Sequence, residues 1–371
     1  MFRLFIIFVL FGVCFTNNDS SFNHTIGYGM DDSTTGGNVE PPPKKEVIDV
    51  ISDELQKIIS YFFGVVGILG NVLVIIVLYA KSMKIHDILL VNQSCVDLYC
   101  SIILIIYFAM NIFSDDFTPD IPWAWVREIY CRFWHITGAL WGGYYASTLN
   151  LCLMTAERYI AIIFPLKHQR LVTKHRIKIT MFIVWFWGLG YGIFFIGIPA
   201  KVNDNRNCIA WIDFPSEEVK NFYGMMKVII EWLVPFIFLI VTNIHMAYKI
   251  RQQNTMIKES DAQQKKKFAA QKTLFKTLLL VTVGFAVCNS FNAIYFMMLS
   301  AGNNMSFGDV YQMSVLFHVA NAIINPPLYT LQYDKFRRKA VKMFCGCLLS
   351  ENKEKKSESV YVSSTSGSIN K

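Results

Sequence analysis

The chain has 371 residues, of which 53% are hydrophobic and only 17% charged. Soluble domains carry about 25% charged residues, so the composition points to a membrane and argues against the two or three soluble domains that this length would allow. The formal net charge of +8 is no argument for nucleic acid, because the basic residues stand between apolar runs, where orientation in a bilayer accounts for them. Nine dispersed cysteines without paired spacing argue against a zinc framework.

Residues 1–16, MFRLFIIFVLFGVCFT, place one Arg before an apolar core too short to span. They read as a signal peptide, with an uncleaved anchor as the alternative. Residues 17–56 are polar and rich in Gly, Ser and Thr, with Pro41-Pro42-Pro43, and predict a disordered extracellular tail. Asn18 and Asn23 head glycosylation patterns within it. Seven apolar segments follow, at about 57–80, 88–113, 130–163, 177–200, 222–248, 272–300 and 309–332, each long enough to cross the hydrocarbon as a helix. The fold class predicted is therefore an all-α membrane protein, a seven-helix bundle over residues 57–332.

The connecting loops alternate in charge. One set carries Lys81, Lys84 and His86, then Lys167, Arg170, Lys174, Arg176 and Lys178, then Lys249, Arg251 and Lys265-Lys266-Lys267, then Lys335, Arg337, Arg338 and Lys339. The other set holds Asp115, Asp116, Asp120, Asp204, Asp213, Glu217 and Glu218. The positive-inside rule makes the first set cytoplasmic and the N-terminus extracellular. Residues 333–347 alternate basic and apolar at helical spacing, as a short helix on the inner leaflet does, with Cys345 and Cys347 as palmitoylation candidates. A solvated tail with idle thiols is the alternative there. Residues 348–371 read as a disordered cytoplasmic tail.

The third segment organises the rest. It is apolar for some two dozen residues and ends in Glu157-Arg158-Tyr159 and Pro165. An ion pair where a helix leaves the membrane is costly unless it serves a function. Gly70-Asn71-Val72 stands in the first segment, Asp97-Leu98 in the second, and Trp185 or Trp187 in the fourth. Pro235 lies in the fifth, Phe285 and Cys288 in the sixth, and Asn325-Pro326-Pro327-Leu328-Tyr329 ends the seventh. In this order and placement the chain resembles a rhodopsin-like (class A) G-protein-coupled receptor over about residues 57–347, with a peptide-receptor character.

The resemblance implies roles. Glu157, Arg158, Tyr159 and Pro165 would form the G-protein coupling region, and Phe285, Asn289, Asn325, Pro326 and Tyr329 the activation switch. Asn71, Asp97, Ser147, Asn321 and Asn325 would form a polar core that holds an allosteric sodium ion or water alone; no other cofactor is implied. An ionisable Asp97 within an apolar span needs partners whichever holds. Two prolines in the seventh helix must interrupt its hydrogen bonding. The family pairs the positions of Cys131 and Cys208 in a disulfide.

This sequence also departs from the family. The interval from Cys131 to Arg158 is two residues longer than usual, so a bulge at Gly142-Gly143 or an earlier helix start is required. The family's Trp after Cys288 is Asn289, its Pro two residues further on is Phe291, its Tyr after Pro235 is Asn243, and its acid at the start of the sixth helix is Gln271. With that acid gone, Arg158 is restrained mainly by Glu157, which predicts raised basal activity; without the Trp and Pro, ligand-driven opening is blunted.

Ligand chemistry is partly excluded. The acid that monoamine receptors carry in the third helix is Leu140, and the opsin Schiff-base lysine is Val319. Ligand-binding candidates are Tyr144, Tyr145, Lys227, Glu231, Asn292, Tyr295, Tyr311 and His318, a set suited to a peptide or a neutral small molecule. Lys227 and Glu231, four apart, can instead simply pair on one helix face. Partners implied are a heterotrimeric G protein, arrestin, a receptor kinase and membrane lipids, at the plasma membrane. The tail run Ser357, Ser359, Ser363, Ser364, Thr365, Ser366 and Ser368 offers phosphorylation sites for arrestin. The alternatives are a receptor-shaped protein that couples weakly and signals through arrestin or heteromers and, more distantly, a transporter or channel. No internal repeat supports the latter, and no nucleophile–base pair or metal spacing supports an enzyme.

Overall fold

The structure, a computed structural model, describes residues 53–80, 83–113, 121–203, 208–209, 214–256, 262–300, 308–333 and 336–343. The expected signal peptide, Asn18, Asn23, Cys345, Cys347 and residues 348–371 lie outside the described residues. The helices are α1 (Asp53–Leu78), α2 (Ile85–Phe113), α3 (Ala124–Ile129), α4 (Gly138–Ile163), α5 (Pro165–Leu171) and α6 (Lys174–Gly190). They continue with α7 (Glu217–Val228), α8 (Val234–Met256), α9 (Ala262–Ser300), α10 (Gly308–Gln332) and α11 over residues 336–343. Helix α1 begins before the expected boundary, so residues 53–56 belong to it rather than to a disordered tail.

Among the described residues, five helices are long and apolar enough to cross a membrane, with α7 and α8 forming one of them. Together with α4 and α10 they form a seven-transmembrane bundle. Helix α4 is more polar than its neighbours because it stands in the middle: Ser147, Thr148, Asn150, Thr155 and Glu157 are all buried by other helices. A helix covered on all sides by protein need not be apolar to lipid. Hydrophobic core clusters lie at both ends, around Leu239, Phe285, Tyr329 and Phe336 towards Arg158, and around Val96, Trp141, Tyr144 and Val319 towards the disulfide.

The two surplus residues before Arg158 are absorbed above α4, not at Gly142-Gly143. Residues Tyr130–His135 form a π turn, and Thr137 follows in the left-handed region at φ 58°. A β-branched residue there is strained, and its hydroxyl bonds the Ile136 carbonyl at 2.7 Å. Gly142 serves packing instead. A Cβ at Gly142 would lie 2.9 Å from the Gly188 carbonyl, and Gly138 faces Gly192 in the same way. Gly138 and Gly142 on α4 thus meet Gly188 and Gly192 on the fourth span, four residues apart on each side, which lets two membrane helices approach at backbone distance.

Two further π turns extend other spans, Tyr191–Ile196 after α6 and Ile229–Leu233 before α8. The second sits just ahead of Pro235, whose missing N–H cannot complete a regular α turn. Between the fourth and fifth spans β1 (Lys201–Val202) pairs antiparallel with β2 (Cys208–Ile209). A disulfide joins Cys131 to Cys208, tying this hairpin to the π turn above α4.

Candidate functional site

Asp97 lies in the centre of the bundle, 1% exposed. Its carboxylate accepts from Gln93 Nε2 at 3.0 Å and Ser147 Oγ at 2.9 Å on one oxygen, and from Asn325 Nδ2 at 2.7 Å on the other. Behind Gln93 runs a relay of buried amides: Trp185 Nε1 donates to Asn92 at 3.1 Å, Asn92 to Asn150 at 2.8 Å, and Asn150 to Gln93 Oε1 at 2.8 Å. Every donor in this column points towards the carboxylate, and a buried charge so bonded is held far more firmly than one left unpaired. Gln93 also donates to Ser147.

The core expected to hold a sodium ion or water alone is lined by side-chain donors. Both carboxylate oxygens of Asp97 are engaged, and the Gln93 amide, one helical turn before Asp97, bonds both Asp97 and Ser147. In this conformation amide and hydroxyl donors from α2, α4 and α10 engage the carboxylate. Asn71, expected in the same core, is elsewhere. Its amide donates to the carbonyls of Gly67 at 2.9 Å and Ala322 at 3.1 Å. Ala322 stands four residues before Pro326, so its carbonyl has lost the backbone donor that a regular helix would give it, and Asn71 takes that place. Helix α10 thereby continues through both prolines to Gln332. Asn321 is buried one turn before Asn325.

At the other end of α4, Arg158 bonds Glu157 through Nε and, at 2.6 Å, through Nη2. His168 Nε2 reaches the same carboxylate at 2.8 Å from α5, which Pro165 starts at its first position. Glu157 is thus clamped by two basic side chains, one of them on a separate helix. The Tyr159 hydroxyl meets His245 Nδ1 of α8 at 3.0 Å. Helix α11 returns to this end: Phe336 is buried, and the Tyr333 hydroxyl donates to Asp87 at 2.6 Å.

Phe285 and Tyr329 are buried in the same core cluster. Asn289 is buried, and its amide donates back to the Phe285 carbonyl at 2.8 Å. Helix α9 runs without interruption through residues 288–291, as a chain without proline there allows, and Phe291 faces outward, stacked on Phe317 at 4.3 Å. Asn243 bridges the fifth and sixth spans, donating to the Thr282 hydroxyl at 3.4 Å.

At the disulfide end Lys227, Glu231, Asn292, Tyr144 and His318 are brought together and buried. Lys227 pairs with Glu231 at 3.1 Å, the Tyr191 hydroxyl donates to Glu231 at 3.1 Å, and His318 packs on the Trp141 and Tyr144 rings at 4.9 and 4.7 Å. Tyr145 and Tyr295 border this group through ring contacts with Tyr191 and Phe296. Tyr145 joins a stack with Tyr191, Phe195 and Tyr223, and Tyr295 packs edge-on against Phe296. The side chain of Tyr311 lies outside the described residues.

Sequence reasoning missed Gln93, Asn92, Asn150, Trp141 and His168. Gln93 was within reach, since four residues before Asp97 is the same helix face. His168 was not, because only the turn at Phe164 brings α5 under Glu157.

The family described as 7 transmembrane receptor (rhodopsin family) matches residues 70–329. Melanopsin-A of Gadus morhua is 24% identical over 327 residues, covering 82% of this chain and 56% of its own length. Galanin receptor 2b of Danio rerio is 25% identical over 325 residues, covering 83% and 80% respectively. The histamine H2 receptor of Homo sapiens is 24% identical over 216 residues, covering 57% and 59%. The chain thus spans little more than half the length of the melanopsin and histamine-receptor relatives.

Proposed function

This chain belongs to the rhodopsin family of seven-transmembrane receptors, and from that membership we propose that it binds an extracellular peptide or neutral small molecule at its disulfide end and activates a heterotrimeric G protein at its Arg158 end. It is a membrane receptor and not an enzyme. The proposal puts it in the plasma membrane with the disulfide end outside, in keeping with the basic loops at the Arg158 end.

The observation that carries the reading is the buried Glu157 carboxylate, held by Arg158 and by His168 of α5. A guanidinium held by its sequence neighbour Glu157, whose carboxylate also engages His168 of a loop helix, is ready to exchange that partner for a G protein once the bundle shifts. Glu157→Gln is expected to raise basal nucleotide exchange on a reconstituted G protein on the order of tenfold, the ratio given by about 1.4 kcal/mol of lost restraint, and Arg158→Ala to abolish exchange. Basal exchange unchanged by Glu157→Gln would remove this role.

Among the relatives, the names refer to melanopsin, galanin and histamine. By the family's pattern, Val319 leaves no Schiff-base lysine and Leu140 no amine counter-ion, so the galanin-receptor likeness agrees best with the site. A second reading has its own observation. With α9 unbroken and Asn289 tied to its own helix, ligand-driven opening is restrained, and signalling through arrestin, after phosphorylation by a receptor kinase, or through heteromers takes its place. Measuring arrestin recruitment beside nucleotide exchange for the same ligand separates the two readings.

A further inference from the structure

The cluster at the disulfide end is built around one ammonium. Lys227 is 3% exposed, and its Nζ lies 3.6 Å from the centroid of the Phe296 ring and 4.8 Å from that of Trp141. It is 3.1 Å from Glu231 Oε2 and donates to Asn292 Oδ1 at 3.4 Å. Two aromatic rings from different helices and one carboxylate are the set that binds organic ammonium ions.

A surface Lys–Glu pair four residues apart satisfies itself on its own helix. This one instead turns into the bundle, where desolvation of both charges is costly. The surroundings are arranged to offset that cost. Tyr191 donates to Glu231 from the fourth span, Asn292 links on to Ser314 of α10 at 3.2 Å, and Trp141 of α4 packs at a tilt against His318 of α10. Through Lys227 the fifth span thus reaches α4 and α9, and through Glu231 the fourth span.

We propose that this cluster is a cation-binding site filled from within: Lys227 is an intramolecular ammonium ligand, and the free ligand that the cage would take in its place is a primary alkylammonium. It rests on the reading of the disulfide end as the ligand-receiving end, and it narrows the ligand class. A ligand of the wild-type protein brings no cation to this cage. What remains for it are Glu231 Oε1 and the two ring nitrogens of His318, all buried without a hydrogen-bond partner among the described residues. These suit neutral amide or hydroxyl groups.

Lys227→Ala removes a propylammonium group, so n-propylammonium chloride is the matching probe, with propan-1-ol and sodium propionate as controls. On the purified full-length protein, the variant is expected to melt below the wild type. Propylammonium should raise the variant's melting temperature by about 2 °C or more at saturation, neither control should do so, and the wild type should not respond. A wild type stabilised as much as the variant, a variant indifferent to propylammonium, or one that prefers propionate overturns the proposal. Should Lys227→Ala not fold, Lys227→Met keeps the volume without the charge. It is expected to melt below the wild type and to recover when Glu231→Gln is added, and a Lys227→Met protein as stable as the wild type overturns the proposal. Signalling is read separately. A variant that binds propylammonium while no ligand response can be raised in any form sinks the receptor reading alone, whereas a normal ligand response in a variant blind to amines sinks this inference alone.

Discussion

Asp97 and Lys227 are both charges buried within the bundle, at 1% and 3% exposure, yet their surroundings differ in completeness. Asp97 receives donors from α2, α4 and α10, and the amides behind it use up one another's hydrogen-bonding capacity back to Trp185. The Lys227 cluster leaves one Glu231 oxygen and both His318 nitrogens without partners. A saturated network fixes one arrangement of its helices, because any shift breaks several bonds at once. An unsaturated one has atoms still to satisfy, and an incoming molecule or a rearrangement can do so. The difference assigns a positioning role to the middle of the bundle and an adaptable one to the disulfide end.

The largest expected effect tests the adaptable end. Glu231→Leu strands the Lys227 ammonium in the core, and removing one partner of a buried pair costs about 3–5 kcal/mol. Thermal melting should show this loss, and the double variant Lys227→Met/Glu231→Leu should recover most of it. A single variant as stable as the wild type would mean that the pair is wetter than its burial indicates.

Next comes the saturated column. Gln93→Leu leaves Asp97, Asn150 and Ser147 each short of a partner, for about 1–3 kcal/mol. The filled core also predicts that the wild type melts alike in sodium and potassium chloride of equal ionic strength. Stabilisation by sodium alone would show that Gln93 gives way to an ion and would erase the contrast between the two regions.

The smallest effect belongs to the Arg158 end. Tyr159→Phe removes only the hydroxyl that meets His245, worth about 0.5–1.5 kcal/mol. A modest rise in basal exchange is expected, well below that of Glu157→Gln. An equal or larger rise would move the restraint on this end from the carboxylate to the tyrosine.

Much of this was legible in one dimension. Hydrophobic run lengths gave seven spans, since about 20 apolar residues are what a bilayer demands of a helix. A carboxylate in an apolar span announced that Asp97 requires donors, the family resemblance pointed to Ser147 and Asn325, and these three do meet. The resemblance did not show that Asn71 caps a carbonyl freed by Pro326, 251 residues away in sequence. Nor did it show the contact of the Tyr145 ring with Tyr191.

The sequence by itself determined that the chain crosses a membrane as a helical bundle and which charges lie within it, because hydrophobicity and the cost of burying charge are local properties of residues. Only the tertiary structure decided who satisfies whom. The two surplus residues went into a π turn and a left-handed Thr137, because Gly142 was already committed to contact with the fourth span. Gln93 filled the position beside Asp97, and Lys227 entered a cage whose rings come from α4 and α9. Hydrogen bonds and ring contacts depend on direction and on distances of a few ångströms between residues far apart in sequence, and those are set only when the helices pack.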